Sequence, residues 1–102
     1  MAHRTHPTQQ DEALRQARAD GTIRDSLRWI ADRLRHRKPQ HLMSEAARLA
    51  IALSAACITH PYDDDAAEQL ERDLLLRMPY ADTVTTRGEY ALKLDRITWS
   101  GR

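Results

Sequence analysis

Apolar residues recur at helical spacing through most of the chain. If residues 22–38 form a helix turning about 100° per residue, its apolar side chains fall within a stripe about 60° wide. That stripe comprises Ile23, Leu27, Ile30 and Leu34. The same periodicity predicts a second helical stripe in residues 65–78, formed by Ala67, Leu70, Leu74 and Met78. Because no alternating apolar and polar run is long enough to indicate a strand, an all-α protein is expected.

Cap and break residues set the boundaries of the predicted helices. These span residues 8–20, 22–38, about 40–59, about 65–78 and a last segment from 86 onward. Gly21 is expected to stop the first helix, and Pro39 follows the second. Thr86 and Glu89 have the spacing of a capping box, which predicts the start of the last helix.

The segment 40–59 contains the most apolar stretch of the chain. Almost every residue from Leu49 to Ile58 is apolar, so the helix has no evident polar face. A helix that is apolar on all sides is expected to be surrounded by others. The predicted fold is a compact bundle of four to five helices around this central helix. Residues 1–7 are predicted to be a disordered N-terminal segment, and residues 8–102 a single helical domain.

Composition narrows the class of protein without identifying it. The 102-residue chain is 41% hydrophobic, 30% charged and free of Phe, so its core must consist mainly of Leu, Ile and Ala. Its single cysteine, Cys57, excludes an internal disulfide framework. The longest apolar stretch is about half the length that a membrane-spanning helix needs. A reduced, cytoplasmic protein that does not enter a membrane is therefore predicted.

Charge is distributed unevenly along the chain. Residues 1–48 carry ten Lys or Arg against six Asp or Glu, whereas residues 49–102 carry six against nine. The net charges of the two parts are thus +4 and −3, which sum to the overall +1. The two parts are expected either to attract each other within the fold or to face different partners.

Trp29 is the residue that fits the core pattern least. It points roughly 140° away from the centre of the apolar stripe of its helix, toward Arg33 and His36. A large aromatic side chain outside the core is either covered by another part of the protein or held for a partner. Two interpretations therefore stay open. Either Trp99 packs over Trp29, or Trp29, Arg33 and His36 form a protein-binding patch.

Two leucines widen the apolar surface of the predicted helix at 65–78. Leu75 and Leu76 lie outside its stripe, so they are predicted to form a second patch for a partner or for self-association. Together with the Trp29 patch, they favour a non-catalytic interaction module, namely an adaptor, regulator or inhibitor that binds a protein. Small proteins of this kind are common among mobile-element and phage regulators.

The helix at 22–38 also supports a nucleic-acid-binding hypothesis. Its cations are Arg24, Arg28, Arg35, Arg37 and Lys38. A row of this kind can contact successive phosphates. Asp25 and Asp32 on the neighbouring face, together with a pI near 8.0, favour instead a solvated helix surface. Nucleic-acid binding is therefore the alternative to protein binding.

No catalytic, cofactor or metal site is predicted. Cys57 and Ser54 are the candidate nucleophiles, and both lie in the helix that is expected to be buried, where a thiol is inert. The histidines, including His60 beside the acidic residues 63–65, match no known metal-ligand spacing. The three glycines are too far apart to form a phosphate-binding loop.

Overall fold

The computed structural model describes the backbone of residues 9–100 and the side chains of residues 10–98. Within that range the protein consists of four helices: α1 Gln9–His36, α2 Glu45–Thr59, α3 Asp64–Arg77 and α4 Arg87–Ser100. The β pairing among these residues is limited to one antiparallel bridge, between Leu42 and Thr86. The all-α prediction is therefore confirmed. The expected disorder of residues 1–7 and the side chain of Trp99 lie outside the described residues.

α1 is one continuous helix where the sequence predicted two. Thr22 donates its hydroxyl hydrogen to the carbonyl oxygen of Arg18, 3.0 Å away, instead of capping a new helix. The predicted break at Gly21 is wrong because a single glycine costs a helix only about 1 kcal/mol relative to alanine. Side chains 10–19 are all exposed, so the first turns of α1 extend away from the core.

Replacing Gly21 by alanine should raise the free energy of unfolding by about 0.5–1 kcal/mol, because alanine loses less backbone entropy in a helix. A methyl group at this position would meet no atom within 4 Å, so no steric cost offsets the gain. Urea denaturation followed by far-ultraviolet circular dichroism measures the change. Ala17→Gly, one turn earlier in the exposed part of α1, should have the opposite effect. An unchanged stability in Gly21→Ala would mean that this turn opens before the protein unfolds.

Side-chain caps set the starts of α2 and α4. The hydroxyl oxygen of Ser44 accepts a hydrogen bond from the backbone N–H of Ala47 at 3.0 Å, so α2 begins several residues later than predicted. The capping box at α4 is confirmed. Glu89 accepts from the N–H of Thr86 at 2.8 Å, and Thr86 accepts from the N–H of Glu89 at 3.2 Å. Residues 37–44 are therefore a loop between α1 and α2.

The core lies between two helix pairs. α1 packs most extensively on α4 and α2 on α3, whereas α1 and α2 contact each other less. The predicted stripes of α1 and α3 are confirmed as core, with Ile30 and Leu74 fully buried, and α4 adds Tyr90 and Leu94. The looser contact between α1 and α2 leaves a groove along that seam.

The sequence predicted that the other helices surround α2, but within the described residues they leave part of its surface exposed. Its inward face consists mostly of small side chains: Arg48, Ala52, Ala55 and Ala56. Leu49, Leu53 and Ile58 remain 44%, 48% and 61% exposed. Ser54 and Cys57, expected to be buried here, are exposed as well. An apolar helix is surrounded only if it has neighbours on every side, and the described residues supply α2 with α3 and, less closely, α1.

Arg48 is the charged residue on the inward face of α2, and it is only 4% exposed. Its guanidinium donates hydrogen bonds of 2.8, 3.1 and 2.9 Å to three carbonyl oxygens at the end of α3, those of Leu75, Met78 and Pro79. Pro79 has no N–H to offer the carbonyl of Leu75 one helical turn earlier, so Arg48 replaces that donor. A further bond of 2.9 Å reaches Glu45, and the ring of Tyr80 lies over the guanidinium. Arg48 thus attaches α3 to α2.

Candidate interaction groove between α1 and α2

A groove of about 500 Å³ runs between α1 and α2 and reaches the start of α4. Its apolar lining comes from both helices: Trp29, Leu34, Ala47, Ala50, Ile51 and Ile58. Three arginines also line it, namely Arg33, Arg37 and Arg87. Ser54 and Cys57 complete the lining, and no Asp or Glu is among these residues. The groove therefore combines an apolar surface with unopposed positive charge.

Trp29 stands on the α1 side of this groove. Its ring is partly buried against the core, and the guanidinium carbon of Arg33 lies 5.3 Å from the ring centroid. Such a cation–π contact contributes about 0.5–1 kcal/mol at an exposed site, and it holds Arg33 along the wall of the groove. Trp29 also lines an adjacent depression with Ala55 and Thr59. The side chain of Trp99 lies outside the described residues, so its predicted contact with Trp29 stays a prediction.

Backbone hydrogen bonds between the start of α4 and the loop at residues 37–44 fix the position of Arg87. The N–H of Arg87 donates to the carbonyl oxygen of His41 at 2.8 Å, and the N–H of Gly88 donates to that of Pro39 at 2.9 Å. The loop at residues 37–44 follows α1, and in it Lys38 has a φ of 53°, in the left-handed region, which ends the helix. Arg87 is thereby placed at the C-terminal end of α1, although it is distant from that helix in sequence.

The groove arginines have no carboxylate partner among the described residues. The Nε atom of Arg87 is buried without a hydrogen-bond partner there. Arg33 contacts the Trp29 ring, and the side chain of Arg37 forms no hydrogen bond or ion pair within the described part of the chain. An unpartnered buried N–H costs about 1–3 kcal/mol, more when the group is charged. Arg35, in contrast, is paired with Asp95 of α4 at 2.7 Å.

The structure brings together two of the five residues predicted to bind a protein. Trp29 and Arg33 both line the groove. His36 is exposed and outside the lining, with its Nδ1 2.8 Å from a backbone carbonyl of its own helix. Leu76 is 84% exposed and Leu75 is half-buried against the core, and both lie on α3 outside the groove.

The residues predicted to bind nucleic acid are divided among several surfaces. Arg35 is held by its ion pair with α4, and Arg37 lines the groove. Arg24 lines a separate depression of about 300 Å³ that also contains an acidic residue. Arg28 and Lys38 are exposed. The predicted continuous row of five cations therefore contains one residue that is already neutralised and one that faces the groove.

Sequence reasoning missed Arg87 and the α2 wall of the groove. The capping box at residues 86–89 predicts where α4 begins, but it carries no information about what the side chain of Arg87 meets. Ile51 and Ile58 are seven residues apart and so share one face of α2. Both isoleucines belong to the apolar pattern of α2. Because that pattern covers every face of the helix, it predicted complete burial and not an exposed groove wall.

Comparison with protein-family models, with curated proteins and with solved structures gives no match for this chain. Within residues 9–100, no group of three His, Cys, Asp or Glu side chains is arranged to hold a metal ion. No helix in that range is both long and apolar enough to cross a membrane. The geometry and charge of the groove are therefore the guide to function.

Proposed function

We propose that this protein is a non-catalytic interaction module that binds a protein partner through the groove between α1 and α2, as a cytoplasmic adaptor, regulator or inhibitor. The observation that carries the proposal is the open apolar seam, where Trp29 is only partly buried and Ile58 is 61% exposed beside Arg33. Exposed apolar patches of this kind are typical of binding surfaces, and Trp and Arg are the residue types most enriched in interface hot spots.

The outward face of α2 extends this surface. From Ala46 to Ile58 the only charged residue is Arg48, and its guanidinium is turned inward to the end of α3. The exposed side chains of Leu49 and Leu53 therefore lie on an uncharged helix face. In a chain with 30% charged residues, an exposed face of this length without charge supports contact with a partner.

Trp29→Ala combined with Arg33→Ala should weaken partner binding by at least about 2 kcal/mol, a loss of about 30-fold in affinity. Peptides selected against the intact chain from a random display library serve as the partner probe, and calorimetry measures their dissociation constants. Leu76→Ala is the matched control, because Leu76 is more exposed than Trp29 but lies outside the groove. Loss of binding in Leu76→Ala alone would place the binding surface on α3 and contradict the proposal.

Nucleic-acid binding is the second candidate, since Arg24, Arg28 and Lys38 remain exposed. It predicts that affinity for duplex or single-stranded DNA or RNA falls steeply with salt, because bound counterions are released from the phosphates. A titration of each nucleic acid at two salt concentrations separates the candidates. Absence of binding at the lower salt concentration would remove this one.

A further inference from the structure

We infer that the segment bound in this groove is an acidic, amphipathic helix, with carboxylates held by Arg33, Arg37 and Arg87 and apolar side chains packed toward Trp29 and Ile58. This inference rests on the proposed protein-binding function and specifies the chemistry of the partner. The first support is charge. Three arginines line one groove that no acidic residue lines, and the Nε of Arg87 is buried without an acceptor.

A partner carboxylate would satisfy these arginines. Guanidinium groups present planar pairs of N–H donors that match the two oxygens of a carboxylate. Arg37 forms no ion pair within the described residues, and Arg33 is held by the Trp29 ring instead of by an acid. Arginines outside the groove such as Arg35, Arg48 and Arg77 have carboxylate partners at 2.7, 2.9 and 3.8 Å. The groove arginines are thus left for a ligand.

The length of the groove matches a short helix. Its α2 wall runs from Ala47 to Ile58, about 16 Å at the helical rise, or roughly three turns. Trp29 and Arg33 are four residues apart on one face of α1. Arg37 follows directly after the end of α1, and its backbone N–H still donates to the carbonyl of Arg33 at 3.0 Å. Trp29 lines a depression with Thr59 at the end of α2. The two helices therefore run in opposite directions, which places Arg37 toward Ala47. The groove is therefore cationic at one end and apolar at the other.

The apolar wall favours a peptide over a nucleic acid. Ile51 and Ile58 offer contact to apolar side chains, and α2 adds no cation to the groove because its one arginine is turned inward. A phosphate backbone would gain little from such a wall, since its affinity comes mainly from neutralised phosphates. An amphipathic helix laid into a groove uses both components, with apolar anchors at helical spacing and charges beside them.

Display selection with the full-length chain provides the test. We expect the selected peptides to combine apolar residues at helical spacing with a cluster of Asp or Glu. Changing those acids to Asn or Gln should weaken binding at least about 30-fold, as should the triple variant Arg33→Gln, Arg37→Gln, Arg87→Gln. The control triple Arg15→Gln, Arg24→Gln, Arg28→Gln has the same net charge but alters exposed residues outside the groove, and it should change affinity by less than about threefold.

The alkylation rate of Cys57 shows whether a peptide occupies the groove, because Cys57 is the only cysteine, is exposed and lines the groove. Bound peptide should slow its alkylation by iodoacetamide in the wild type and not in the groove triple variant. The groove triple variant should also unfold at the same or higher urea concentration than the wild type. A marked loss of stability would assign these arginines to the fold and overturn the inference.

Other outcomes separate this inference from the proposed function. Selected peptides that protect Cys57 but lack acidic residues, or that are weakened equally by both triple variants, would overturn the acidic partner while supporting the groove as a binding site. Binding that neither protects Cys57 nor responds to Trp29→Ala would contradict both. Salt-sensitive binding of DNA or RNA that is lost in the groove triple variant would assign the arginines to phosphate and also overturn the inference.

Discussion

Replacing Arg48 by methionine should lower the free energy of unfolding by about 2–5 kcal/mol, because each buried carbonyl oxygen that loses its donor costs about 1–3 kcal/mol. The guanidinium donates to three carbonyl oxygens at the end of α3 and is only 4% exposed. Methionine preserves most of the apolar stem but leaves the carbonyls of Leu75 and Met78 without the guanidinium donor. The carbonyl of Pro79 still accepts a hydrogen bond from the Tyr90 hydroxyl. Urea denaturation of wild type and variant under identical conditions gives the difference.

Two further substitutions show which property of Arg48 is responsible. Arg28→Met makes the same chemical change at an exposed position of α1 and should alter stability by less than about 0.5 kcal/mol. Arg48→Lys keeps the charge but lacks the planar fork that reaches several acceptors at once, so it should recover only part of the loss. Full recovery in Arg48→Lys would show that charge, not hydrogen-bond geometry, is what α3 requires.

Local signals predicted much of the fold because they act over a few residues. The stripes of α1 and α3 are core in the structure, and the pairing of Thr86 with Glu89 begins α4 as expected. The predicted break at Gly21 was wrong, because the small helix penalty of one glycine is outweighed by the helical turns on both sides of it. Local patterns therefore predict the presence of helices more reliably than the residues at which they begin and end.

The role of α2 and most of the groove depended on tertiary structure. An apolar pattern on all faces does not distinguish a helix that its own chain surrounds from one that leaves a face exposed. Arg48 directly precedes the apolar stretch, and its role becomes visible only once the carbonyls near Pro79 lie beside it. Likewise Trp29 and Arg33 were predicted together because they share one helix face, whereas Arg87 joins them only through hydrogen bonds between the start of α4 and the loop after α1.

The stability of the protein should also decline above pH 10 through ionisation of Tyr90. Its side chain is fully buried and donates its hydroxyl hydrogen to the carbonyl oxygen of Pro79. Burial raises the pKa of Tyr90 from 10.0 to about 12, because the apolar surroundings disfavour the phenolate. The folded protein thus binds this proton more tightly than the unfolded chain does. The resulting stabilisation is complete below pH 10 and is lost as the pH rises through about 12.

Two pKa units correspond to about 2–3 kcal/mol of unfolding free energy, which Tyr90→Phe makes measurable. Phenylalanine keeps the ring but removes the ionisable hydroxyl and its hydrogen bond, so the variant should be less stable by about 1 kcal/mol at neutral pH. That difference should vanish and then reverse between pH 10 and 12, because only the unfolded wild type is stabilised by ionising Tyr90 while the folded chain still holds the proton. Subtracting the two urea-derived stability profiles cancels the titration of every other group. Parallel profiles up to pH 12 would mean that Tyr90 has the same pKa in the folded and unfolded protein, and that its burial does not disfavour the phenolate.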